Sequence, residues 1–295
     1  MLRVVSLFLL VLLASTACRF LDRPARPEGL EGPFVLAEDG VPISYAVSGE
    51  GARTVVFIHG WSCDRTYWRE QVSPFSNRRR VIVIDLPGHG ASGVARAEWS
   101  FDGFARDAVR VLEEEDVEGA VLVGHSMGGP VALLAAGLAP ERVAGVIGVE
   151  ALHDADARMT DVQAAQLVAM YEQDFAGTSR RFATAMFPEG TDPQLVRRVA
   201  DDMASAPPDV AVGIVRVFPT FDLKGALGAT KVPVRAINSA ITMPTNVEAN
   251  RRYREDYDAV AMAGVGHFPM LERPQEFNAL LETTLSEVER AGRGR

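Results

Sequence analysis

Cysteine is nearly absent: of 295 residues only Cys18 and Cys63 are cysteines, which excludes a disulfide framework as the source of stability. If Cys18 carries a lipid, no intramolecular bridge can form at all, and Cys63 is then a lone thiol that reads as a small buried apolar residue. An excess of positive charge is missing too. Lys and Arg number 30 against 39 Asp and Glu, a net charge of -9, so no nucleic-acid partner is expected, because phosphates need a concentrated basic surface. The run Arg78-Arg79-Arg80 is the one dense basic cluster before the C-terminal tail, and it reads as a solvated loop ahead of a strand. Metal-ligand spacing, a phosphate-cradling loop and a dinucleotide fingerprint are lacking, since Gly88-His89-Gly90 is too short to count. No metal and no cofactor are therefore expected. Internal repeats and low-complexity blocks are also missing. What remains, 47% hydrophobic and 23% charged residues, is the composition of an ordinary globular chain.

The N-terminus reads as an address rather than as fold. Arg3 precedes an apolar stretch from Val4 to Leu13, followed by the small residues Ala14, Ser15, Thr16 and Ala17. That layout is a secretory signal over 1–17, with an apolar core short of the about 20 residues of a membrane-spanning helix. Cleavage after Ala17 would leave Cys18 first, which resembles a bacterial lipoprotein signal. An exported, cell-envelope protein tethered to the membrane through lipidated Cys18 is expected, with plain secretion after the same cut as the alternative. The Pro- and Arg-rich segment 18–33 reads as a tether.

From Phe34 the pattern changes. Phe34-Val35-Leu36, the turn Asp39-Gly40 and Ile43 to Val47 predict a hairpin. Short continuous apolar runs follow at Thr54 to Ile58, Val81 to Ile84, Ala120 to Val123, Val143 to Val149, Val232 to Ile237 and Ala259 to Met262. Continuous runs indicate strands buried on both faces, as in a parallel sheet sandwiched by helices. Helix-like stretches at Phe101 to Glu115, Met127 to Leu138 and Glu276 to Val288 alternate with them, the signature of an α/β sheet with right-handed crossovers. The long interval between Val149 and Val232 breaks this rhythm with helix-like segments at Val162 to Phe175, Arg180 to Phe187, Leu195 to Met203 and Val210 to Val217. A structureless loop of that length is implausible. The expected organisation is an α/β core over 34–151 and 231–291, with a helical cap inserted over 152–230.

Three motifs carry chemistry. Gly124-His125-Ser126-Met127-Gly128-Gly129 fits G-x-S-x-G between a strand and a helix. A sharp turn there lifts the Ser126 hydroxyl above the sheet, the two outer glycines make room for it, and the helix N-terminus favours negative charge. His59-Gly60-Trp61 follows an earlier strand. An oxyanion needs two preorganised N–H donors, and the backbone amides of Met127 and Trp61 are the candidates. Finally, serine needs a base. Of the five histidines, only His267, in Gly264-Val265-Gly266-His267-Phe268-Pro269, follows the last strand.

Together with Asp85-Leu86-Pro87-Gly88-His89-Gly90, which reads as a structural loop, these motifs occur in one order from about Phe34 to Leu285. The sequence resembles the α/β-hydrolase superfamily, most closely its capped esterase and haloperoxidase-like branches. That resemblance implies the α/β-hydrolase fold and a triad of Ser, His and an acid, and the acid departs from the common pattern. In most members it follows the strand matching Val232 to Ile237, but here that loop reads Asn238-Ser239-Ala240-Ile241-Thr242-Met243-Pro244. Some haloalkane dehalogenases place an acid one strand earlier, where Glu150 ends Val146-Ile147-Gly148-Val149. A carboxylate ending a buried strand needs a partner such as His267. Glu150 is thus the expected acid, with Asp154 as the alternative. The expected function is ester hydrolysis of a small-molecule substrate through an acyl-enzyme. Amide, lactone or carbon–carbon hydrolysis, perhydrolysis, and a non-catalytic binding module on the same fold are the alternatives. The sequence carries no indication of oligomeric state.

Overall fold

The computed structural model describes residues 31 to 292. The expected signal over 1–17, Cys18 and nearly all of the tether lie outside the described residues. The apolar runs form one eight-stranded sheet: β1 (Phe34–Leu36), β2 (Pro42–Ser48), β3 (Thr54–Ile58), β4 (Arg80–Ile84), β5 (Ala120–His125), β6 (Val143–Val149), β7 (Val234–Ser239) and β8 (Asp258–Met262). Their spatial order is β1-β2-β4-β3-β5-β6-β7-β8. Strand β2 runs antiparallel to β1 and to β4, and every other pairing is parallel. All residues of β3 and β5 are buried, as helices on both faces require. The exception is β8. Its run predicts burial on both faces, yet Val260 is exposed, because β8 is the last strand and pairs with β7 alone.

The helices are α1 (Arg69–Ser76), α2 (Phe101–Glu114), α3 (Gly128–Leu138), α4 (Asp161–Gln173), α5 (Phe175–Ala185), α6 (Pro193–Ala204), α7 (Pro208–Val215), α8 (Leu223–Ala229), α9 (Val247–Arg251), α10 (Pro269–Glu272) and α11 (Pro274–Gly292). Ser100 caps α2 by accepting the Gly103 N–H at 3.0 Å. Helix α3 packs against β5, β6 and α2 and has no polar side: Val131, Ala132, Leu133, Ala135 and Ala136 are all buried. On α11, Phe277, Leu281, Leu285 and Val288 recur at helical spacing and face β6.

Helices α4 to α8 lie between β6 and β7. Helix α4 begins at a capping box formed by Thr160 and Gln163. The spacing predicts one helix running to Phe175, but α4 stops at Gln173 because the Asp174 side chain caps the next helix, accepting the Gly177 N–H at 2.9 Å. Trp61 joins this insertion to the sheet. Its indole donates to the Ala211 carbonyl at 3.0 Å and meets Tyr171 edge-on, with centroids 5.0 Å apart.

Candidate active site

Between β5 and α3 the backbone turns through Ser126, whose φ of 52° lies in the left-handed region. For a residue with a side chain this conformation costs on the order of 1–3 kcal/mol and persists only where the surroundings fix it. Here the Ser126 N–H donates to the Val149 carbonyl and the Ser126 carbonyl accepts the Gly129 N–H, both at 2.9 Å. Glycine is required beside it. A Cβ on Gly124 would sit 2.1 Å from the Gly128 carbonyl oxygen, and one on Gly128 would sit 2.4 Å from the Ile58 carbonyl oxygen. Gly124→Ala is therefore expected to destabilise the fold by about 1–3 kcal/mol through overpacking, read as a lowered melting temperature.

The chain leaves β6 through a second strained residue, Glu150, at φ 49°. Its side chain is 1% exposed and turns toward His267, placing Oε2 3.2 Å from His267 Nδ1. Oε2 also accepts the Thr242 hydroxyl at 2.7 Å, and Oε1 accepts the Ser239 N–H. Burial raises the carboxyl's pKa, but the hydrogen bonds from His267, Ser239 and Thr242 outweigh it and hold Glu150 below the usual carboxylate range. An ionised carboxylate only accepts, so Nδ1 of His267 carries the hydrogen and Nε2 is the free basic nitrogen. Asp154 is not placed to do this. Its oxygens take the Asp156 N–H at 2.9 Å and the Asn246 amide at 3.1 Å.

The His267 loop is pinned at several points. Its N–H donates to the Met186 carbonyl, at the end of α5, at 3.0 Å. A Cβ on Gly266 would lie 2.2 Å from that carbonyl oxygen. Glu272 accepts the Gly266 and Phe268 amides, each at 3.0 Å through Oε1. The buried ring of His125, held neutral by desolvation and by the nearby His267, donates from Nε2 to the His267 carbonyl at 2.7 Å. Sequence reading missed His125, Ser239 and Thr242. The one available signal was the polar run Asn238-Ser239 ending an apolar strand.

Ser126, His267, Glu150 and Trp61 line one cavity of about 770 Å³. Phe182 and Phe187 lie on its wall at α5, and Phe218 and Phe221 between α7 and α8. The Met127 side chain is buried and is not part of the cavity wall. Neither its amide nor that of Trp61 has a protein acceptor among the described residues. His59 is buried and structural: its Nε2 accepts the Leu86 N–H at 3.0 Å, its Nδ1 lies 2.7 Å from the Gly60 carbonyl, and desolvation lowers its pKa. Asp85 braces the same region by accepting the Arg65 N–H at 2.7 Å and the Ala91 N–H at 3.0 Å. Cys63 reaches the cavity wall, but burial pushes its thiol well up, which opposes thiolate chemistry. Among the described residues, no group of three His, Cys, Asp or Glu is placed to hold a metal ion.

The dihydrolipoyllysine-residue acetyltransferase component of the acetoin cleaving system of Cupriavidus necator is 40% identical over 119 residues, covering 40% of this chain and 32% of that protein. The chain thus spans about a third of that relative's length. Pimeloyl-(acyl-carrier protein) methyl ester esterase of Yersinia enterocolitica is 29% identical over 251 residues, covering 80% of this chain and 94% of that protein. A solved structure of an N-acyl homoserine lactone degrading enzyme superposes with a TM-score of 0.75 at 27% identity, covering 85% of this chain and 99% of that one. Residues 55–280 match the family described as alpha/beta hydrolase. The mostly parallel eight-stranded sheet, its flanking helices and this match lead to one conclusion: the chain belongs to the alpha/beta hydrolase family.

Proposed function

We propose that the protein is a serine hydrolase that cleaves carboxylic esters through an acyl-enzyme. The observation that carries this reading is His267, held by the buried Glu150 carboxylate at one ring nitrogen while sharing a cavity with Ser126. In this scheme Ser126 Oγ attacks the ester carbonyl carbon as its proton passes to His267 Nε2. The oxyanion takes the amides of Trp61 and Met127. The imidazolium of His267, stabilised by Glu150, then protonates the departing alcohol. Water repeats the sequence on the acyl-serine, releasing the carboxylic acid and restoring Ser126. The reaction needs no cofactor, and the aromatic walls suit an apolar acyl or alcohol group.

The methyl ester esterase and lactone-degrading relatives support this reading. A lactone is a cyclic ester and would open by the same steps, which makes lactone hydrolysis the second reading. The carboxylate 3.2 Å from His267 Nδ1 speaks against the non-catalytic alternative. The deciding experiment is reaction with a fluorophosphonate probe, with the modified residue mapped by mass spectrometry. Modification at Ser126 is expected, and folded protein that takes no probe would overturn the proposal.

A further inference from the structure

The loop after β7 lacks the usual acid, yet it is hydrogen-bonded to Glu150 and to the loop that carries His267. Ser239 ends β7 and is 3% exposed. Its N–H donates to Glu150 Oε1. Its hydroxyl oxygen receives the amides of Ile241 at 3.0 Å and Thr242 at 3.2 Å. Amides only donate, so the hydroxyl hydrogen goes to its remaining neighbour, the Val265 carbonyl, at 2.6 Å. Val265 lies two residues before His267. One serine therefore joins the end of β6, the His267 loop and the turn that follows β7.

Thr242 completes the arrangement from the cavity side. It lines the cavity, and its hydroxyl donates to Glu150 Oε2, the same oxygen that faces His267 Nδ1. The other titratable groups near Glu150 are His153 and Glu272. His153 Nδ1 faces the Asn238 amide at 3.2 Å, and Glu272 is occupied by the Gly266 and Phe268 amides. Thr242 is thus the neutral donor that shares Oε2 with His267 among the described residues.

We infer that Ser239 and Thr242 form a positioning clamp for the Glu150–His267 pair, with the Thr242 hydroxyl setting how strongly Glu150 holds the imidazolium. The clamp rests on the serine-hydrolase reading above. A donor to Oε2 disperses the carboxylate's charge. Its removal leaves more of that charge facing His267, which stabilises the imidazolium, so the base loses its proton at higher pH. The acidic limb of kcat/KM then moves upward in pH.

The test uses full-length Thr242→Val and Thr242→Ser, with p-nitrophenyl ester hydrolysis followed from about pH 5 to 9, the range that brackets imidazole titration. Thr242→Val is expected to lower kcat about tenfold, because Glu150 loses a charge-assisted bond of that scale that aims its carboxylate at His267, with KM nearly unchanged and the acidic limb displaced to higher pH. Thr242→Ser should restore both. A loop with only a structural role would lower the melting temperature or raise KM without moving the limb, and that result overturns the clamp. So does a folded Thr242→Val with the wild-type profile, provided the wild-type Ser126 reacts with fluorophosphonate. Wild-type protein without that reactivity overturns the hydrolase reading and the clamp together.

Discussion

Glu150→Gln is expected to lower kcat about 10,000-fold, as amide replacement of a triad carboxylate does by stabilising the wrong imidazole tautomer, while the protein stays folded. The reason lies in the donors that converge on this side chain. The Ser239 N–H, the Thr242 hydroxyl and His267 Nδ1 all point hydrogens at Glu150. The substituted amide would keep one accepting oxygen but introduce an NH2 that must face one of these donors. The easiest relief is for His267 to shift its hydrogen from Nδ1 to Nε2, so that Nδ1 accepts from the amide. Nε2 is then occupied and cannot take a proton from Ser126. Steady-state kcat alongside a circular dichroism spectrum checks this. A loss of less than tenfold in folded protein would sink the assignment of Glu150 as the acid.

The second large effect is expected for Ser126→Ala: no fluorophosphonate labelling and a fall in kcat of about a millionfold, the scale on which triad nucleophiles act. The fold should persist, because the turn at Ser126 is held by main-chain bonds to Val149 and Gly129 rather than by the hydroxyl. The double variant Ser126→Ala, Glu150→Gln should be no slower than Ser126→Ala alone, as expected of a triad whose members act as a unit. Turnover by Ser126→Ala within a hundredfold of wild type would place the nucleophile elsewhere.

The sheet was legible because its inner strands are continuous Val and Ile runs with no competing helical period, as in Val55-Val56-Phe57-Ile58 and Val143 to Val149. The serine elbow and the histidine loop were legible because unusual backbone leaves a glycine trace at Gly124, Gly128 and Gly266. What stayed hidden depended on long-range partners. Strand β7 extends past its apolar run to Ser239 because Asn238 and Ser239 pair with Ala261 and Met262 of β8, and their polar side chains are satisfied by groups far away in sequence. Asn238 accepts the Ala151 N–H at 3.1 Å and Ser239 reaches Val265. Helix α1 was missed as well. It carries Pro74, which argues against a helix locally, and its buried Gln71 and Phe75 make sense only against partners such as Met270, Asn278 and Phe57.

The bond from the His267 N–H to the Met186 carbonyl ties the helical insertion to the loop that carries the imidazole. On the proposed hydrolase reading, a substrate bulky enough to displace the end of α5 would remove one anchor of that loop, while those from His125, Glu272 and Ser239 would stay. Part of the penalty for bulk would then fall on the rate and not on the affinity alone.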